Sequence, residues 1–142
     1  MRTRVALILI YCIALISCDP KMFDYDDCIW RVKNNTDKAI VFNTIVGTNI
    51  DPWHIPAGDS TIIQSVGFLI KQEGAPFNYA LERKDSITVI INNQIKKIWR
   101  KHDDKSGRHF YNQSSWFFYK TPRMEQFENY NFTFIIEESD LD

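Results

Sequence analysis

The sequence predicts an all-β fold, an antiparallel β-sandwich of about seven short strands with one short helix near its end. Three observations carry this expectation. Apolar and polar residues alternate with a period of two in several stretches, Asn, Asp, Gly and Pro cluster between those stretches, and the 3.6-residue period of an amphipathic helix is almost absent.

Cys28, Trp30 and Val32 alternate with Ile29, Arg31 and Lys33, as in a strand buried on one face. Asn34-Asn35-Thr36-Asp37 predicts a turn, and Lys38 to Val46, rich in β-branched and aromatic residues, predicts a second strand ending at Gly47. The stretch from Asp51 to Asp59 holds Pro52 and Pro56, which cannot donate ladder hydrogen bonds, so it is expected at a sheet edge or between sheets. Ser60 to Val66 predicts the next strand. Gly67 to Arg83, broken by Gly74, Ala75 and Pro76, reads as a loop with local structure.

Ile87, Val89 and Ile91 share one face of a strand, Asn92-Asn93 suits the left-handed turn of a tight hairpin, and Ile95, Lys97 and Trp99 continue on the returning strand. His102 to Arg108 is polar and predicts a loop, and Phe110 to Tyr119 an aromatic-rich strand. Thr121-Pro122 sets a capping hydroxyl before a proline at a first helical position, which predicts one or two helical turns near Pro122–Glu128. Phe132, Phe134 and Ile136 share a face of the last strand, before the acidic tail from Glu137 to Asp142.

The N-terminus has a different character. Arg2 and Arg4 precede an apolar run from Val5 to Ile16, the order of a secretory signal, and this run is shorter than the ~20 residues a spanning helix needs. Leu15-Ile16-Ser17-Cys18 resembles a bacterial lipobox, which predicts cleavage after Ser17 and a lipid on Cys18. Several acyl chains, at about 0.8 kcal/mol per buried methylene, hold a protein to a bilayer where one chain does not. Residues 1–17 are thus read as signal peptide, 18–27 as a lipidated acidic tether and 28–142 as one β-sandwich domain. Cys12 leaves with the signal and Cys18 carries lipid, so no structural disulfide is expected for Cys28; without the lipid, a Cys18–Cys28 bridge is the alternative.

The chain of 142 residues carries 17 Lys+Arg against 18 Asp+Glu, and loss of Arg2 and Arg4 makes the remainder more acidic still. Its basic residues, such as Lys96, Lys97, Arg100 and Lys101, are interleaved with acids along the chain. No nucleic-acid partner is expected of such a surface.

The lipobox cysteine and acidic tether, the Asn-Asn-Thr turn, Ile55-Pro56-Ala57-Gly58-Asp59-Ser60 before a strand, and the ending from Tyr119-Lys120-Thr121-Pro122 to Tyr130-Asn131-Phe132-Thr133-Phe134 together resemble small outer-membrane lipoproteins of no assigned function from Bacteroidota-type bacteria. The resemblance covers most of the mature chain. It implies an immunoglobulin-like sandwich anchored in the outer membrane, on its periplasmic face or at the cell surface, and brings no enzyme activity with it. Asp24-Tyr25-Asp26-Asp27 is similar to the acidic signal that sends some such lipoproteins to the surface. Asp59-Ser60-Thr61 and Asp85-Ser86-Ile87 resemble the Asp-Ser/Thr-apolar motif that such bacteria O-glycosylate, making Ser60 and Ser86 candidate sugar acceptors; a turn-capping Asp-Ser explains both equally well. The Asn-x-Ser/Thr matches at Asn34, Asn112 and Asn131 belong to a eukaryotic secretory route and are set aside.

Catalytic and metal motifs are missing from the sequence. His102 and His109 with Asp103 and Asp104 offer N and O donors at no standard ligand spacing, Ser114 and Ser115 sit in no nucleophile elbow, and no Gly-rich phosphate loop occurs, so neither metal nor cofactor is expected. Trp53, Trp99, Trp116 and Tyr119 offer either core filling or a stacking surface, with Trp53 and Trp116 taken as candidate ligand-contact aromatics and Trp53, beside Pro52, expected to be the more exposed. The expected function is a lipid-anchored, non-catalytic envelope protein whose sandwich binds another protein. The alternative is a glycan-binding module; a hydrolase or inhibitor, built on a pocket that sets His54 or His102 against a carboxylate, is less favoured.

Overall fold

Two four-stranded sheets account for most of the described residues in a computed structural model, which describes residues 26–68, 76–124 and 127–142. The strands are β1 (Asp26–Asn34), β2 (Ile40–Val46), β3 (Asn49–Ile55), β4 (Ser60–Phe68), β5 (Ser86–Ile91), β6 (Gln94–Arg100), β7 (Phe117–Met124) and β8 (Phe127–Ile136). One sheet has the order β4-β1-β8-β7 and the other β3-β2-β5-β6. Short 3-10 turns at Phe77–Ala80, Gln113–Ser115 and Glu138–Asp140 complete the described structure, and none of its helices is long and apolar enough to cross a membrane.

The sandwich is as expected, and β1, the β5–β6 hairpin and β8 follow their sequence signals. Cys28, Trp30 and Val32 are buried, as are Phe132, Phe134 and Ile136. Asn92 and Asn93 take φ of 52° and 61°, the primed turn that matches the twist of a two-residue hairpin. Aromatic rings join the sheets, as where Trp99 of β6 meets Phe134 of β8 edge-on at 5.3 Å, and others line the core within a sheet, as where Trp30 of β1 stacks on Phe132 of the neighbouring β8 at 5.5 Å. The Trp30 indole N–H donates to the Phe77 carbonyl at 3.1 Å, pinning the Phe77–Ala80 turn onto the core.

Several expectations are corrected. The described residues form eight strands, because the segment with Pro52 is itself a strand, β3; it lies at a sheet edge as expected, where a missing N–H costs no ladder bond on the open side. The sheets are not wholly antiparallel, since β1 and β8 run parallel in register from Asp27↔Asn129 to Asn34↔Ile136. The described residues of the stretch expected to be helical, Pro122 to Met124 and Phe127 to Glu128, are strand. Thr121 to Met124 instead extend β7, with Thr121↔Asn129 and Pro122↔Glu128 paired, because edge pairing and a 2.7 Å Lys120–Glu128 ion pair outweigh a local cap-and-proline signal. The strand expected from Phe110 begins only at Phe117, and Phe110, Tyr111 and Trp116 enter the core from an irregular segment. The tether gives up Asp26 and Asp27 to β1; Cys12, Cys18, the rest of the tether and the lipobox lie outside the described residues. Cys28 is fully buried in β1.

Candidate functional site

Three consecutive aromatic residues, Phe117, Phe118 and Tyr119, open the edge strand β7, and the two-residue period of a strand must send them to opposite faces. Phe118 pairs with Phe132 and turns to the core side, stacking on it at 5.0 Å and on Tyr130 at 6.4 Å. Phe117 and Tyr119 pair with Thr133 and Asn131 on the outer face, where they are 63% and 43% exposed. The register carries this face across the sheet in two rows, Phe117–Thr133–Arg31–Ile62 and Tyr119–Asn131–Ile29–Ser65. Ile62 is exposed as well. The result is a flat face with an aromatic pair at one edge, amide and hydroxyl groups in the middle and an arginine with aliphatic side chains beyond.

Such a face resembles the hot-spot region of a protein interface more than a sugar platform. Interfaces favour aromatic and arginine anchors. The Phe117 and Tyr119 rings lie 6.0 Å apart and are tilted by 49°, so together they present no single plane to a pyranose. The backbone edge of β7 opposite β8 is unpaired among the described strands. Edge-blunting devices, Lys120 with its Glu128 partner, Pro122 and the register shift between Pro122 and Met124, gather in the second half of the strand. Its first half carries none of them.

Of the aromatic residues singled out by sequence, Tyr119 lies on this face, whereas Trp53, Trp99 and Trp116 do not. Trp116 is a core residue: it is buried, its indole N–H donates to the Phe110 carbonyl at 2.7 Å, and it packs on Phe77, Phe110 and Phe134, which removes it as a ligand contact. Trp53 is half-buried against the core opposite Phe42, and its indole nitrogen is enclosed without a hydrogen-bond partner, so it offers no open stacking face. The inward turn has a simple cause. Pairing with Phe42 puts Trp53 on the core side of β3 whatever its proline neighbour does to the backbone.

The histidines are dispersed. His54 is exposed on β3, His102 is exposed in the turn after β6, and His109 is buried. The His109 Nδ1 accepts from the Tyr111 backbone N–H at 3.2 Å, its Nε2 is enclosed without a partner, and burial lowers its pKa, favouring the neutral ring. The nearby Ser115 hydroxyl accepts from the His109 backbone N–H, not from the imidazole. No group of three His, Cys, Asp or Glu side chains among the described residues is placed to hold a metal ion.

Ser60 is exposed at the head of β4, where its backbone N–H donates to the Asp59 carboxylate at 2.7 Å. Ser86 is half-buried in the interior strand β5, and the Asp85 carboxylate beside it accepts from the Gly47 N–H at 2.6 Å. Asn34 is fully buried and its side-chain amide is occupied by the fold. Sequence reasoning missed Phe117 and named Tyr119 without its partner. The signal was present: three successive aromatics in a strand necessarily leave at least one on the outer face. Set beside protein-family models, curated proteins and solved structures, the chain matches none.

Proposed function

We propose that this chain is a lipid-anchored outer-membrane protein whose sandwich, of immunoglobulin-like kind, binds another envelope protein without catalysis. The exposed Phe117–Tyr119 pair on the unblunted half of an edge strand carries the reading, because two aromatic anchors beside an open row of backbone groups suit strand-edge docking of a protein segment. The anchor is the lipid on Cys18, in keeping with the short apolar run ahead of it and the acidic stretch after it. The acidic balance of the chain speaks against a nucleic-acid partner. Of the two candidate sugar acceptors, the exposed Ser60 is the better placed and Ser86 the worse.

Two measurements test this reading. The intact mass of protein extracted in detergent from its own membranes is expected to equal residues 18–142 plus a diacylglyceryl group and acyl chain, with hexose-sized additions if Ser60 is glycosylated; a mass without lipid removes the anchor. For the docking face, Phe117→Ser with Tyr119→Ser is expected to leave stability within about 0.5 kcal/mol, since both rings are exposed. The same pair is expected to weaken association with a purified envelope partner by about 2–4 kcal/mol, roughly 30- to 1,000-fold in Kd. Partner binding that the double variant leaves intact, or binding of the wild-type protein to a glycan array that the variant abolishes, overturns the protein-binding assignment.

A further inference from the structure

Lys84 is the most buried cation among the described residues, at 8% exposure, and its surroundings form a site distinct from the β7 face. Its backbone is fixed from three sides: its N–H donates to the Leu81 carbonyl at 3.1 Å, its carbonyl accepts from the Tyr111 hydroxyl at 3.1 Å, and the next N–H, that of Asp85, donates to the Ile45 carbonyl at 2.8 Å. The side chain then borders a hollow of about 350 Å³ walled by Val46 at the end of β2, by Gln64 and Val66 of β4, and by Tyr79 and Ala80 of the Phe77–Ala80 turn. Glu82 and Arg83 stand at its exposed rim.

No carboxylate of the described residues lies within ion-pairing distance of the Lys84 ammonium. Asp51 is the acid whose field reaches it, and burial outweighs that field, so the lysine pKa is lowered. A buried cation without a close counter-ion is costly to keep. At a cavity wall, such a group is placed to receive an anion from outside.

We propose that this hollow binds a small amphipathic carboxylate, its carboxylate on the Lys84 ammonium and its apolar chain along Val46, Val66, Tyr79 and Ala80. The cavity fits this class better than a free inorganic anion, since Val46, Val66, Tyr79 and Ala80 give it an apolar side beside the polar groups of Gln64, Glu82, Arg83 and Lys84. Its volume lies near the lower end of ligand pockets, which selects a medium-length chain.

The test is a titration of octanoate into the full chain in non-ionic detergent, followed through the methyl resonances of Val46, Val66 and Ala80, with octan-1-ol as the uncharged probe. Saturable shifts are expected with octanoate, and octanol is expected to bind at least about tenfold more weakly, as is octanoate to Lys84→Met. Lys84→Met keeps the length and burial of the stem and removes the charge. Val46→Glu, a change at an exposed position, sets a like charge on the wall and is expected to abolish the octanoate shifts even if the lysine variant does not fold. Absence of saturable shifts up to millimolar octanoate, or equal binding of octanoate and octanol, overturns the proposal, as does undiminished octanoate binding to a folded Lys84→Met or to Val46→Glu. None of these outcomes depends on the β7 face or on the lipid anchor.

Discussion

Asn34→Ala is expected to destabilise the domain by about 3–5 kcal/mol, a large part of the total for a domain of this size. Asn34 ends β1 and is fully buried. Its side-chain Nδ2 lies 2.7 Å from the Lys38 carbonyl and 3.0 Å from those of Ile55 and Pro56, so two amide hydrogens serve three acceptors. Its Oδ1 accepts from the Thr36 backbone N–H at 3.1 Å and from the Thr36 hydroxyl at 2.8 Å. Its main chain adds two more links, donating to the Asp59 carbonyl and accepting from the Gly58 N–H. One side chain therefore fastens the β1–β2 turn to the β3–β4 turn at the same end of both sheets.

Alanine leaves these acceptors and the Thr36 donor facing a void, and each buried orphan costs about 1–3 kcal/mol before relaxation and water recover part of it. Asn34→Asp is expected to be at least as harmful, because a carboxylate would then face three carbonyl oxygens. Asn35→Ala supplies the control: that side chain is exposed and makes one bond, to the Glu137 carboxylate, so a change within about 0.5 kcal/mol is expected. Urea unfolding followed by tryptophan fluorescence reads all three. A loss below about 1 kcal/mol in Asn34→Ala, with the slope unchanged, would mean that water replaces the amide at little cost.

The fate of Asn34 also shows which parts of this fold its sequence makes legible. A turn was readable at Asn34-Asn35-Thr36-Asp37 from residue types alone, but the carbonyls of Ile55 and Pro56 that make Asn34 a cornerstone lie more than twenty residues away. Local period was a sound guide wherever one face of a strand meets the core, as at Trp30, Ile87 and Phe134. Period alone does not carry facing across a bulge, which changes the phase. In the β5–β6 hairpin the register shift between Val89 and Ile90 returns Lys97 and Trp99 to the inner row but sends Ile95 outward, where it is 59% exposed, although all three alternate in sequence. The parallel pairing of β1 with β8 joins the two ends of the domain, a long-range choice that no local pattern encodes.

The candidate sites divide in the same way. The outward ring on β7 follows from three aromatics in a row, whereas the buried Lys84 looks in sequence like any lysine in a polar turn. Only the approach of β2, β4 and the Phe77–Ala80 turn around it makes it unusual.

Phe110→Ala is the second change expected to cost about 3–5 kcal/mol, and it tests the claim that an irregular segment, not a strand, fills the centre of this sandwich. Phe110 is fully buried, and its ring centroid lies 4.8 Å from that of Trp116, 5.0 Å from Phe134, 5.5 Å from Phe42, 5.8 Å from Tyr111 and 6.1 Å from Trp99. Phe42 and Trp99 belong to one sheet and Phe134 to the other, so this ring is the wedge between them. Close-packed aromatics cannot collapse into the space that it leaves without tilting several neighbours at once. Phe117→Ala removes the same atoms seven residues later, from an exposed position, and is expected to change stability by no more than about 0.5 kcal/mol. A continuous strand from Phe110 to Tyr119, buried on its even-numbered side, would instead make Asn112 and Ser114 core residues, whereas Ser114 is exposed and its hydroxyl donates to the Asn112 side chain.

A second readout separates loss of the wedge from general loosening. His109 precedes Phe110 directly and burial lowers its pKa, so opening the site is expected to raise that pKa toward its ordinary value while Phe117→Ala leaves it unmoved. The imidazole proton shift followed against pH measures both variants. Equal destabilisation by the two alanines, or an unmoved His109 in a destabilised Phe110→Ala, would place the centre of the core elsewhere than the segment between β6 and β7.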